Sequence, residues 1–233
     1  MSDNGIRVKV VNGKELEKRY YVPSKKELRV LFTELGFLPP DAEELSQAGY
    51  DAFFATPEGR LAVGYGIFYD ENNLHLSFSK ILLEEEGGNF YSNEKLKDDF
   101  PVTGLPPRYA RTSDTALLTA GLENLLASYT MTERSFVFAV PHAGFALRNS
   151  DVLSRLLEER EIKKVVLAFP KSQAAYQRKL AKLLKQDGFS VEILNYEGKS
   201  PFEHYQLSIS RMMEQAMEQL EQQEEVYNPA REA

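Results

Sequence analysis

From residue 114 onward, apolar and polar positions alternate in two kinds of block. TALLTA (115–120), SFVFAV (135–140), KKVVLAF (163–169) and FSVEILNY (189–196) are short runs rich in apolar residues, which predicts strands, the third of them buried. Between them, GLENLLASYT, DVLSRLLEER (151–160) and SQAAYQRKLAKLLKQDG (172–188) repeat apolar residues at helical spacing. Leu180, Leu183 and Leu184 share one face of the last of these, and Gly188 is its stop. Strands alternating with helices of 10–16 residues predict a mainly parallel sheet with right-handed crossovers. Ser200-Pro201 opens a final helix with Ile209, Met213, Met217 and Leu220 in register, whose polar end, EQLEQQEEVYNPAREA, is expected to fray.

The first hundred residues follow another rhythm. Residues 6–22 predict two strands around an Asn12-Gly13 turn. Ser24 and Glu27 form a capping-box pattern ahead of a helix carrying Leu28, Leu31, Phe32 and Leu35, with Gly36 as its stop. Pro39-Pro40 breaks the chain, and a second helix is expected at about 41–48. Residues 51–80 predict an antiparallel meander, with turns at Pro57-Glu58-Gly59 and Glu71-Asn72-Asn73. Residues 81–113, punctuated by Gly87-Gly88, Pro101, Gly104 and Pro106-Pro107, predict a linker or long loop. The expected division is 1–110, a small α+β region, and 111–233, an α/β domain ending in a long helix. No internal repeat is visible.

Composition narrows the chemistry. The 233 residues contain no cysteine, which excludes disulfides, thiolate zinc sites and cysteine nucleophiles. No apolar run approaches the roughly 18 residues of a membrane span. The opening MSDNGIRVKV has no signal-peptide pattern, so a cytoplasmic location is expected. The net charge of −7 argues against a general nucleic-acid coat. Its distribution is uneven: residues 161–185 hold seven Lys/Arg against Glu161 alone, and residues 1–30 carry a net +4, while acids gather at 83–86 and in the tail. Lys171, Arg178, Lys179, Lys182 and Lys185 cluster on one turn and helix, with Arg178, Lys182 and Lys185 at i, i+4, i+7. That face either tracks phosphates or is the solvated side of an amphipathic helix.

Other candidates weigh less. His75, His142 and His204 lack ligand spacing, so no metal site is read from them. His142, just past a strand end in AVPHAG, is a candidate loop site or an ordinary loop histidine. Ser172 lacks a nucleophile elbow and reads as a helix N-cap. Tyr20-Tyr21 and Phe53-Phe54 are strand residues first and stacking platforms second. Met212, Met213 and Met217 suit either an adaptable interface, through which the chain could oligomerise, or packing on the chain's own sheet.

The order of these pieces resembles a TOPRIM domain, the module of DnaG-type primases, topoisomerases and plasmid or phage mobilisation proteins, in its primase-like, mobile-element form. TALLTAGLENLLAS and VVLAFPKSQAAYQRKLAKLLKQDGFSVEILNYEGKSPFE carry the resemblance over about 115–205, with Gly121, Leu125, Leu126, Ala174, Gly198 and Lys199 matching. YDAFFATPEGRLAVGYGIFY looks like the small β-region that precedes TOPRIM in such proteins. The family glutamate, a general acid/base, falls on Ala120; the helix-start aspartate falls on Asn124. The two Mg²⁺-binding aspartates fall on Pro170 and Ser172, and the Asp and Asn after Gly-Lys fall on Ser200 and Phe202. Mg²⁺ needs hard oxygen ligands, and none of these side chains is a carboxylate.

The resemblance therefore implies a non-catalytic TOPRIM-like protein of a mobile element or phage. It would use no cofactor and would bind DNA, RNA, or a replication or defence protein through Lys171, Arg178, Lys179, Lys182, Lys185 and Lys199. Two readings stand beside it. One is a Mg²⁺-dependent nucleic-acid enzyme (primase- or nuclease-like) rebuilt from Glu123, Glu197 and Glu203. The other is a protein-interaction module or inhibitor that binds no nucleic acid. Another flavodoxin-like or Rossmann-like sheet is the alternative fold. No GxGxxG or GxxxxGK[ST] follows any strand, so phosphate cradles lack support.

Overall fold

In the computed structural model, residues 20–48, 52–71, 75–85, 89–91, 100–108 and 112–227 are described. The hairpin turn expected at Asn12-Gly13, the residues Asn72-Asn73 and Gly87-Gly88, and the tail beyond Tyr227 lie outside them.

Helix α1 (Lys25–Glu34) begins where the capping box predicts: Ser24 Oγ accepts from the Glu27 N–H, and the Glu27 carboxylate accepts from the Ser24 N–H at 2.8 Å. It buries Leu28 and Phe32. Helix α2 (Pro39–Ala48) starts at the two prolines instead of after them. The first turn of a helix has no use for those N–H groups, and the fixed proline φ already suits it.

The strands are β1 (Phe53–Ala55), β2 (Leu61–Glu71), β3 (His75–Glu85), β4 (Asn89–Tyr91), β5 (Phe100–Leu105), β6 (Thr115–Ala120), β7 (Phe136–Val140), β8 (Lys164–Leu167) and β9 (Ser190–Ile193). They form one sheet in the order β4-β3-β2-β5-β7-β6-β8-β9, with β1 also on β2. The meander is antiparallel as expected, and β7, β6, β8 and β9 run parallel.

The stretch 81–113 is not only a linker. It supplies the end of β3, all of β4, and β5, which pairs antiparallel with both β2 and β7 and so joins the two halves. Pro101 and Gly104 disguised β5. Pro101 pairs toward β2 at a point where the β7 ladder has not begun, since that ladder spans Thr103–Leu105. Gly104 faces Phe138, and a Cβ there would lie 2.7 Å from the ring. Gly104→Ala is expected to cost about 1–3 kcal/mol of stability by urea unfolding, and Phe138→Leu in the same chain to recover part of it.

Helices cover the parallel half on both faces: α3 (Leu122–Thr130), α4 (Ala143–Arg148), α5 (Ser150–Glu159), α6 (Ala174–Gln186) and α7 (Pro201–Tyr227). Leu117, Val137 and Ala139 pack toward α1, α2, α3 and the start of α7; Leu118, Val140, Val165 and Leu167 pack toward α5 and α6. Burial on both faces explains why these strands read as unbroken apolar runs. Helix α4 was not anticipated, because AGFALR is too short for a clear period. The polar end of α7, expected to fray, is helical to Tyr227. Among the described residues no helix is long and apolar enough to cross a membrane.

Candidate nucleic-acid interface

The C-terminal ends of β6, β7 and β8 open on one edge, the usual place for a site in such sheets. Several positions at which the resemblance would place acids have another task here. Ala120 is buried in the core. Asn124 donates to the Ala120 carbonyl at 2.7 Å and accepts from the Phe202 N–H at 3.2 Å, tying the end of β6 to the start of α7. Phe202 lies 5.6 Å, centroid to centroid, from Phe37. Ser200 accepts from the Glu203 N–H and so caps α7. Pro170 precedes a 3₁₀ turn, Lys171–Gln173.

Ser172 sits inside that turn and makes no capping bond, which corrects its reading as an N-cap. The extra turn displaces the α-helix start to Ala174, and Gln173 instead spends its side chain on the Ala143 N–H at 2.7 Å.

Cations gather at the same edge. The Lys171 N–H donates to the Lys199 carbonyl at 2.8 Å, which brings the two lysine-bearing loops together. Both side chains are exposed, and Lys171 Nζ stands 5.7 Å from the Tyr196 ring centre. Burial pushes the Tyr196 hydroxyl up to about 12, and it donates to the Phe169 carbonyl. Along α6, Leu180 and Leu184 face inward, while Arg178, Lys179, Lys182 and Lys185 are exposed and form no ion pair among the described residues. From Arg178 to Lys185 this row runs about 10 Å along the helix.

His142 caps α4, with Nδ1 accepting from the Gly144 N–H at 3.0 Å and its ring edge-on to Tyr176 at 5.2 Å. Burial first, and the Arg148 charge second, hold its pKa below the ordinary histidine range. A neutral ring with Nδ1 as acceptor is what the cap requires.

The three acids proposed for a rebuilt metal site do not converge. Glu197 pairs with Arg211 at 2.6 Å, and Glu203 accepts the Lys199 N–H. Glu123 lies in the first turn of α3. Among the described residues no three Asp, Glu, His or Cys side chains form a metal-holding group, and two lysines front the edge. These residues do not fit Mg²⁺.

One acid was missed. Glu84, on β3, is buried; its carboxylate accepts from the Tyr65 hydroxyl and from the Leu122 N–H at the start of α3. It reaches the β6–α3 turn, 3.2 Å from where a Cβ on Gly121 would sit. Burial pushes it up to about 7, the nearby Glu123 charge adds to the rise, and the two hydrogen bonds oppose it. In sequence it belongs to a run of acids that reads as solvated. The only signal was that the apolar run 81–83 enters it with no turn residue between. Glu85 beside it accepts from the buried Tyr20 at 2.6 Å, and Phe53 is fully buried, so neither aromatic is a stacking platform.

No family model matches the chain, and no curated protein matches it. Among solved structures, the primase fragment of the bacteriophage T7 primase-helicase protein matches 94% of this chain and 80% of its own, at 13% identity and a TM-score of 0.53. A second match is a bacteriophage T7 lagging-strand DNA polymerase structure with primase domains, an RNA/DNA hybrid and dTTP. It covers 75% of this chain and 85% of its own, at 16% identity and a TM-score of 0.46. The chain is thus similar in fold to that primase fragment: a mixed α/β architecture with parallel strands flanked by helices and a long C-terminal helix.

Proposed function

We propose that this is a non-catalytic, degenerate TOPRIM-like protein of a phage or other mobile element that binds nucleic acid through Lys171, Lys199 and the α6 face of Arg178, Lys179, Lys182 and Lys185. The observation that carries the reading is a substitution of purpose at one edge. Positions that would hold carboxylates serve as core, cap and tie, and two lysine loops are joined there by a backbone hydrogen bond. Lysines offset phosphate charge without a metal. In this reading residues 111–233 hold the contact face, and the part before them, joined through β5 in the same sheet, completes the framework.

The test is a titration of single- and double-stranded DNA and RNA across a salt series, with and without Mg²⁺. Binding that weakens with salt and ignores Mg²⁺ is expected. Cleavage or synthesis that requires Mg²⁺ refutes the non-catalytic part.

A second reading, a protein-protein module, is favoured by α7. Beyond Ile209 its stripe leaves the core: Met213, Met217 and Leu220 are about 60% exposed, and Met212 is half exposed. An isolated amphipathic helix of this kind gains most of its stability from a partner. We propose that α7 oligomerises the chain or takes a replication or defence protein. Sedimentation should show mass rising with concentration, and Met213→Glu with Met217→Glu should hold the chain monomeric.

A further inference from the structure

The sheet has a second face feature, far from the lysine edge. A cleft of about 380 Å³ lies at the starting end of β7, bounded by β1, β2, β5 and the last turn of α5. That volume falls in the range of small-molecule sites. Gly64, Gly66 and Gly104 are among its lining residues. Gly66 pairs with Val102, and continuing that antiparallel register sets Gly64 opposite Gly104. Glycines inside strands weaken a sheet, and they recur where a ligand or backbone must approach closely.

Three aromatic rings line it too: Phe54, Phe136 and Phe138. Gly104 leaves room for the Phe138 ring, and Phe138 and Phe136 stack at 6.0 Å. The cleft has one charged lining residue, Arg160. Its guanidinium stands 6.0 Å from the centre of the Phe136 ring and makes no ion pair among the described residues.

We infer that this cleft binds a small planar aromatic molecule carrying a single anionic group, with the ring against Gly64 and Gly66 beside the phenylalanines and the anion at Arg160. The ring gains apolar contact and offset stacking against the phenylalanines. The anion pairs with a guanidinium already stacked on the cleft wall. Glu158, Glu159 and Glu161 flank Arg160 and are exposed, so a nucleic-acid strand, with a charge at every residue, is repelled there. The cleft lies at the start of β7, whereas the loops of Lys171 and Lys199 follow the C-terminal ends of β8 and β9. A nucleoside monophosphate and an aromatic carboxylate share this chemistry.

The test is a titration of the full chain followed by amide NMR, with AMP, 1-naphthoate, adenosine and inorganic phosphate as separate probes. Saturable shifts at Gly64, Gly66 and Gly104 are expected with at least one anion, at about millimolar concentration or below. Adenosine should bind about fivefold more weakly than AMP, the loss of one exposed ion pair, and phosphate alone should leave these amides unmoved. AMP binding more tightly than naphthoate assigns a nucleotide; the reverse assigns a carboxylate. Arg160→Ala, a surface change, should lower AMP to the level of adenosine, and Gly64→Val should remove both. No saturable shift at the three amides, or an anion preference that survives Arg160→Ala, overturns the inference. Neither result depends on whether α6 binds nucleic acid.

Discussion

Changing Arg178, Lys182 and Lys185 together to Glu lowers affinity for DNA or RNA by at least about a hundredfold at moderate salt, and leaves the fold intact. Each phosphate neutralised on duplex DNA contributes about −0.9 to the slope of log K against log salt, so three lost contacts flatten it by about 3. The reversed charges also repel the strand, which adds to the loss. The three side chains are exposed and lie on the face of α6 opposite Leu180 and Leu184. Surface changes of this kind alter stability within about 0.5 kcal/mol. A matched circular dichroism melt separates lost binding from lost fold. Changing Lys171 and Lys199 to Glu tests the edge itself and should weaken binding by a further step at equal slope per contact. If the triple variant binds as the parent does, α6 is only a solvated helix face, and the nucleic-acid reading falls with it.

The parallel half of this architecture was legible because β6, β7 and β8 are covered on both faces, although the edge strand β9 is largely exposed. Val165 and Leu167 beside Leu180 and Leu184 leave a period that no other arrangement produces. Strand β5 was hidden because its proline and glycine are tolerated for tertiary reasons: an open ladder side at Pro101 and a ring over Gly104. Such permissions come from neighbours distant in the chain. The same holds at the edge. Sequence could show that Ala120, Pro170 and Ser200 supply no carboxylate, but not that Asn124 ties two elements or that Lys171 and Lys199 are joined. Glu84 was invisible for the converse reason, since a local run of acids predicts water and the fold supplies Tyr65 and a helix N-terminus instead.

That buried acid leads to the second large effect, a dependence of stability on pH that Glu84→Gln removes. Glu84 titrates at about 7 in the folded chain, against 4.5 for an unperturbed glutamate. The folded state therefore holds this proton more tightly than the unfolded chain does. Its contribution is complete below about pH 4.5, declines as pH rises, and is gone above about pH 7. At about 1.4 kcal/mol for each tenfold change in proton affinity, the loss across that window is about 3 kcal/mol.

Glutamine has nothing to lose there. Its carbonyl can accept the Leu122 N–H while its amide donates to the Tyr65 oxygen, with the hydroxyl hydrogen turned away. In urea unfolding from pH 5 to 8.5, the parent should weaken relative to Glu84→Gln by about 3 kcal/mol between the two ends, whatever the other groups do, since they titrate alike in both chains. Tyr65→Phe removes a bond that favours the ionised form, so it should steepen the loss and raise its midpoint. Parallel pH curves for parent and Glu84→Gln would mean that water reaches this carboxylate in the folded chain. The acid at the β6–α3 turn would then be a surface group, open to the solvent side of the same edge that Lys171 and Lys199 occupy.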